Sequence, residues 1–294
     1  MKGSALDRIS RLNWLKSEHI RPYVFVREEN RIKNPGTAYP LDWFSHSPLY
    51  INPLCMSSQS FGNQIMKMET LAFGPSGMPM PRWVFYDCAV MPGFVAGYAH
   101  LTRALPHEVK KILEVDESMP WTPISLFIVI PTMGQNEWVA HNLTSVNALI
   151  PPEYRFYGLG FLTKAFALWQ ANIEICCGMT QWQSPAVRLH SHYGLFEVLT
   201  SYTPLHSYAH TLTYRLKVDT EYWYEFFGLA DATRSFQKNF QPAGLVVDSK
   251  QDASLKELQS RIERGEGPYY LSAAEVRKKS LDDSFMVYQP REQL

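Results

Sequence analysis

The chain lacks any long uncharged apolar run. No stretch reaches the roughly 18 residues that a spanning helix needs, so no membrane partner is expected. It has no excess of either charge: 28 basic residues face 28 acidic ones, and no long basic stripe is present. A nucleic-acid partner is therefore not expected either. Cysteine is scarce. Cys55, Cys88, Cys176 and Cys177 include one adjacent pair and no spacing of the zinc-site kind. This predicts no metal and four reduced thiols in a cytoplasmic protein. Internal repeats and low-complexity tracts are missing. Met1 to Ile20 has basic residues but no apolar run behind them, unlike a secretory signal.

What is present fits an ordinary globular chain. With 46% apolar and 19% charged residues, 294 residues can bury a sizeable core. Leu6, Ile9, Leu12 and Leu15 recur at threes and predict an amphipathic N-terminal helix. Strands are predicted at Pro22 to Arg27, Arg82 to Val90, Phe94 to Leu101, Ile124 to Ile130, Glu137 to Ile150, Ile173 to Met179, Phe196 to Tyr202 and Thr211 to Val218. Helices are predicted at Ser57 to Phe73, His107 to Val115, Phe161 to Ala171 and Ser184 to Tyr193, the last with a Ser184 N-cap and Pro185 at its first position. The expected fold is α/β (α+β): a mixed, mostly antiparallel sheet flanked by helices. Residues 219–294 are more charged, with helices expected at Glu221 to Phe227 and Ser254 to Arg264. They read as a helical extension for docking or for making a homodimer, with Tyr222-Trp223-Tyr224 as the docking face.

The segment that carries chemistry is Val146-Asn147-Ala148-Leu149-Ile150-Pro151-Pro152-Glu153-Tyr154-Arg155-Phe156-Tyr157-Gly158-Leu159-Gly160. It reads as a strand, a proline-enforced stop, a loop with two glycines and a helix start. Glycines let backbone N–H groups approach an anion without Cβ interference. The helix start adds open N–H donors and the positive end of the macrodipole, together a phosphate or pyrophosphate site.

This segment resembles the acyl-CoA loop of the GNAT acyltransferases, Arg/Gln-x-x-Gly-x-Gly/Ala, here Arg155-Phe156-Tyr157-Gly158-Leu159-Gly160 with Phe161 opening the helix. Members commonly read Pro-Glu-Tyr-Arg at this loop, as Pro152-Glu153-Tyr154-Arg155 does here. A second likeness is Gly194-Leu195-Phe196-Glu197-Val198 at the exit of the Ser184 helix. The resemblance is best over residues 82–218 and places an acyltransferase domain at 1–218. It implies acyl-CoA, most simply acetyl-CoA, as co-substrate and an amine as acceptor; the acceptor is expected to be a small molecule, because the sequence has no recognisable peptide-binding module. It also implies a pantetheine arm pairing with the backbone near Ala148, Leu149 and Ile150.

The amine must lose a proton and the CoA thiolate must gain one. Glu137 and His141, on the strand leading to the loop, are the candidate bases or water relays. Many members use a tyrosine of the second helix as acid. Here that position holds His190, with Tyr193 nearby, so the acid is either of these or is missing. A second departure is Phe156-Tyr157, where the family has small or basic residues. Two alternatives stay open: a long-chain N-acyl amino acid or acyl-homoserine-lactone-type synthase, and a non-catalytic CoA-binding protein.

Overall fold

A computed structural model describes residues 5–31, 47–205, 208–278 and 284–291. It divides into two compact units, Met1–Ile173 and Glu174–Leu294.

In the first unit α1 (Ala5–Ser10) leads into a 3-10 turn at Asn13–Lys16, where Leu12 and Leu15 are buried as the spacing predicts. Then come β1 (Ile20–Phe25), β2 (Leu49–Ile51), α2 (Gln59–Phe73), β3 (Phe94–Leu101), α3 (His107–Leu113), β4 (Trp121–Pro123), β5 (Ser125–Pro131), β6 (Glu137–Ser145) and α4 (Leu159–Gln170). The strands lie in the order β2-β1-β3-β5-β6, with β4 also against β3. Only the β1–β2 pair is parallel among them. From Ser125 to Val129 β5 is buried without a break, which is why its sequence is continuously apolar rather than alternating. Helix α4 packs on β3, β5 and β6, and α2 on β4 and β6.

Two predicted strands differ. Residues 82–90 form a helical turn that continues as a π-helix over Val84–Val90. Phe85, Ala89 and Val90 are its buried residues, and the Met91 N–H bonds five residues back to Tyr86 O at 2.8 Å. Aromatic and β-branched residues favour a strand only where a pleated surface receives them, and here a helical face does. The strand predicted to Ile150 stops at Ser145 and turns through Val146–Ala148 and Pro152–Tyr154.

The second unit contains β7 (Ile175–Gln181), α5 (Pro185–His190), β8 (Gly194–Thr200), β9 (Thr211–Val218), α6 (Thr220–Phe226), α7 (Ala232–Asn239), β10 (Phe240–Asp248), α8 (Asp252–Glu263), β11 (Tyr269–Leu271), α9 (Ala273–Lys278) and β12 (Ser284–Pro290). Its strands run β7-β9-β8-β11-β12-β10, antiparallel throughout. The tail helices expected after Val218 are present as α6 and α8, and three strands accompany them. The boundary expected at Val218 therefore falls inside this unit, where β11 pairs with β8 at Phe196, Glu197 and Val198. Ser184 caps α5 as predicted, its Oγ accepting the Ala186 N–H at 3.2 Å. Gly194 opens β8 so close to β9 that a Cβ there would lie 1.9 Å from the Lys217 carbonyl oxygen.

Candidate active site

The glycine loop is built as the sequence predicts. Gly158 is the N-cap of α4 in the left-handed conformation, φ +72°, which a side chain would strain. The Leu162 N–H begins the helical ladder by bonding to Gly158 O at 2.9 Å, and the Leu159 N–H turns back to Phe156 O at 3.2 Å. The Gly160 N–H has no acceptor among the described residues. Among the described residues, a Cβ placed on Gly160 would meet nothing within 4 Å, so they leave that face open. An open donor, a helix N-terminus and room for close approach suit an anionic oxygen. Arg155 is exposed, and its Nε ties the loop down through Ile150 O at 3.2 Å.

Side chains near and distant in sequence hold this loop in place. Asn147 binds the backbone of Phe156 in both directions, Nδ2 donating to its carbonyl at 2.6 Å and Oδ1 accepting its N–H at 2.9 Å. Trp14 Nε1 donates to Tyr157 O at 3.0 Å, and the indole meets the Phe156 ring edge-on at 5.6 Å. The Arg11 guanidinium lies 3.9 Å from the centre of the Tyr157 ring. The His100 ring is 6.1 Å from Phe156, and burial pushes its imidazole below the usual value, with His19 adding a smaller push. Sequence reasoning passed over Trp14, because nothing local marks a partner 143 residues along the chain, and it quoted Asn147 within the segment without giving its side chain a role.

The backbone at Ala148, Leu149 and Ile150 corrects an expectation. Leu149 and Ile150 both donate their N–H groups to Val146 O, at 2.8 and 3.0 Å. A turn therefore replaces the extended strand on which pantetheine pairing was expected there.

The two expected base residues on β6 are separated. Glu137 sits at the β5–β6 turn, where its Oε1 accepts the Thr132 hydroxyl at 2.9 Å. Eight residues of strand, about 26 Å, divide it from Ser145, where the chain leaves for the loop. Its position corrects its pairing with the loop. His141 is nearer and its side chain is exposed. It sits at a β-bulge: Phe127 pairs with Leu143 and Val129 with Ala140, so Ile128 alone faces His141 and Asn142. Asn142 reaches Glu69 of α2, its Nδ2 donating to Oε1 at 2.7 Å. Glu69 is a buried carboxyl that sequence reading passed over, because it lies on the core side of an amphipathic helix.

In the second unit His190 and Tyr193 are both core residues, at 6% and 0% exposure. The His190 ring lies 4.8 Å from that of Tyr214. The Tyr193 carbonyl accepts Trp223 Nε1 at 3.2 Å. Burial pushes the Tyr193 hydroxyl well above its ordinary value, with the Cys176 thiol adding to it. Cys176 is buried and Cys177 half-buried, as adjacent strand residues on opposite faces should be. All four cysteines are free thiols.

A cavity of about 560 Å³ in the first unit is lined by Leu49, Tyr50, Phe61, Met119 and Trp121, with Ser58 among its polar groups. That volume falls in the range of small-molecule sites. Among the described residues no group of three or more His, Cys, Asp or Glu side chains could hold a metal, and no helix is long and apolar enough to cross a membrane.

No protein-family profile matches the sequence, and no characterised protein matches it. Solved structures do resemble it. The ribosomal-protein-S18-alanine N-acetyltransferase of Escherichia coli is 12% identical, with a TM-score of 0.36 over 53% of this chain and 87% of that one. A Bacillus subtilis acetyltransferase in complex with CoA is 9% identical, with a TM-score of 0.33 over 53% and 93%. A chain of the NatC complex bound to Gag peptide and CoA is 12% identical, with a TM-score of 0.37 over 57% and 97%.

Proposed function

We propose that this chain is an acyl-CoA-dependent N-acyltransferase that moves an acyl group, most simply acetyl, from CoA to the amine of a small molecule. One observation carries the reading. The Arg155-x-x-Gly158-x-Gly160 loop ends in a left-handed N-cap and, among the described residues, leaves an open N–H and free space at Gly160. That is a cradle for a pyrophosphate, and it stands on the sequence pattern that resembles the GNAT acyl-CoA loop.

The chemistry follows from the thioester. The amine nitrogen forms a bond to the carbonyl carbon, the C–S bond breaks, and the electron pair leaves on sulfur. The amine gives up a proton and the thiolate takes one. The aromatic-walled cavity of the first unit is the proposed acceptor site.

Calorimetry with CoA, followed by thiol release from acetyl-CoA and long-chain acyl-CoA across a panel of primary amines, tests this. Binding and thiol release with acetyl-CoA support the reading. Release only from long-chain donors moves it to the long-chain synthases. Binding without release in any pair leaves a CoA-binding protein, and no binding by the folded chain removes the cofactor assignment.

A further inference from the structure

The geometry points to a hydrogen-bonded relay, Glu69–Asn142–His141, that holds His141 with its Nε2 lone pair free to take the proton of the acceptor amine. The inference rests on the acyl-transfer reading above and names the group that serves its first proton step.

The relay is fixed by what each atom is able to do. Glu69 is 1% exposed. Its two oxygens both accept the Met80 N–H at 3.0 Å, and Oε1 also accepts Asn142 Nδ2 at 2.7 Å. Burial pushes the carboxyl up, and the donors from Met80 and Asn142 pull it back. No lysine or arginine forms an ion pair with it among the described residues, so neutral donors alone hold it.

A carboxylate only accepts, so the Asn142 amide must turn its NH₂ toward Glu69. Its Oδ1 then faces His141 Nδ1 at 3.0 Å. An amide oxygen also only accepts, so Nδ1 carries the proton. In a neutral imidazole the lone pair is then on Nε2, and the His141 side chain is exposed.

The backbone explains why two neighbours are able to do this. In a regular strand successive side chains point to opposite faces and do not meet. At the bulge opposite Ile128 the pleat is broken, and His141 and Asn142 hydrogen-bond to each other. His141 stands four residues, about 13 Å, from the end of β6 that leads to the glycine loop. During transfer the amine proton moves to Nε2 as the C–N bond forms. It then passes through solvent to the CoA thiolate, so one proton leaves the amine and one reaches sulfur.

The test reads the tautomer and the rate separately. Long-range ¹H–¹⁵N NMR of the full chain, with His141→Gln for assignment, should show His141 protonated on Nδ1. Asn142→Ala should return it to the Nε2–H form that free histidine prefers. Glu69→Gln keeps an acceptor for Met80 but frees the amide to flip, and should weaken the preference. In thiol release from acetyl-CoA, with whichever amine of the panel the wild type uses, His141→Ala should lose roughly 10²–10⁴ in kcat with CoA affinity unchanged. Asn142→Ala should lose less, and its melting temperature shows whether the fold was kept. A wild-type His141 protonated on Nε2, or a His141→Ala variant at full rate, overturns the inference. A wild type that releases no thiol with any amine overturns the acyl-transfer reading instead, and the NMR result tells the two failures apart.

Discussion

Gly160 separates stability from binding more cleanly than any other position in the loop. It is the second residue of α4, its φ is not positive, and a Cβ there touches nothing within 4 Å among the described residues. Replacing it clashes with none of them. Alanine should even stabilise the helix by up to about 1 kcal/mol, a rise in Tm of no more than about 4 °C. The resembled pattern admits alanine at this position, so Gly160→Ala should bind CoA about as the wild type does, whereas the branched side chain of Gly160→Val occupies the space through which a phosphate oxygen would approach the Gly160 N–H. A hydrogen bond to a charged group is worth about 1.5–3 kcal/mol, so its loss in Gly160→Val should raise the CoA Kd by roughly tenfold to a hundredfold. Gly158→Ala is the control: at φ +72° it strains the backbone by about 1–2 kcal/mol, and stability and binding fall together. Calorimetry with CoA and thermal melts on all three variants read both quantities. A Gly160→Val protein that melts at or above the wild type and binds CoA with unchanged affinity would refute the cradle.

If His190 or Tyr193 protonates the thiolate, His190→Ala or Tyr193→Phe should lower thiol release by roughly 10²–10⁴ with CoA affinity unchanged. Full activity in both, with melting temperatures kept, excludes the pair. Truncation after Val218 removes β11 from the edge of β8 and Trp223 from the Tyr193 carbonyl, so it should aggregate or melt far below the full chain. A soluble monomeric truncation with unchanged Tm and activity contradicts this. Asp252 is held at about 2 by hydrogen bonds from His210, Lys256 and Tyr202. A depressed folded value contributes stability above the ordinary aspartate value of about 3.9, and that stability is lost as pH falls through about 2. Urea melts of Asp252→Asn should therefore differ from the wild type near neutral pH and converge near pH 2, and a difference that persists there counts against the linkage.

The parts of the structure legible in the sequence are those whose constraints are local. Pro151-Pro152 opens a 3-10 turn, Gly158 permits a left-handed cap, and Ser184-Pro185 starts a helix, each within a few residues. The apolar run of β5 is equally plain, because full burial removes the need for polar residues. Residues 82–90 were misjudged for a related reason: Trp83, Val84, Phe85 and Tyr86 have strand-like side chains, and packing of Phe85, Ala89 and Val90 overrides them. The strands after Val218 were hidden by their form. β11 has three residues, and β10 carries a register shift between Pro242 and Leu245 that breaks its alternation. Glu69 and Asn142 are 73 residues apart, and only the fold brings them together.

The departure of Phe156-Tyr157 from the resembled loop gains a reason from the same contacts. Small or basic residues there would offer a phosphate either room or charge. Here the two rings are spent on the N-terminal segment: Trp14 meets Phe156 edge-on and bonds to Tyr157 O, and Arg11 covers the Tyr157 ring. Asn147 holds the Phe156 peptide from the other direction. A loop fixed at successive residues loses little further freedom when a ligand arrives, and preorganisation of this kind raises affinity without adding a contact. The rings and the glycines therefore do complementary work. Phe156 and Tyr157 set where the loop sits, Gly158 turns it through a left-handed cap, and Gly160 puts no side chain beside its own N–H. Exchanging the rings for lysines would add charge near a phosphate but remove what holds the donors in place.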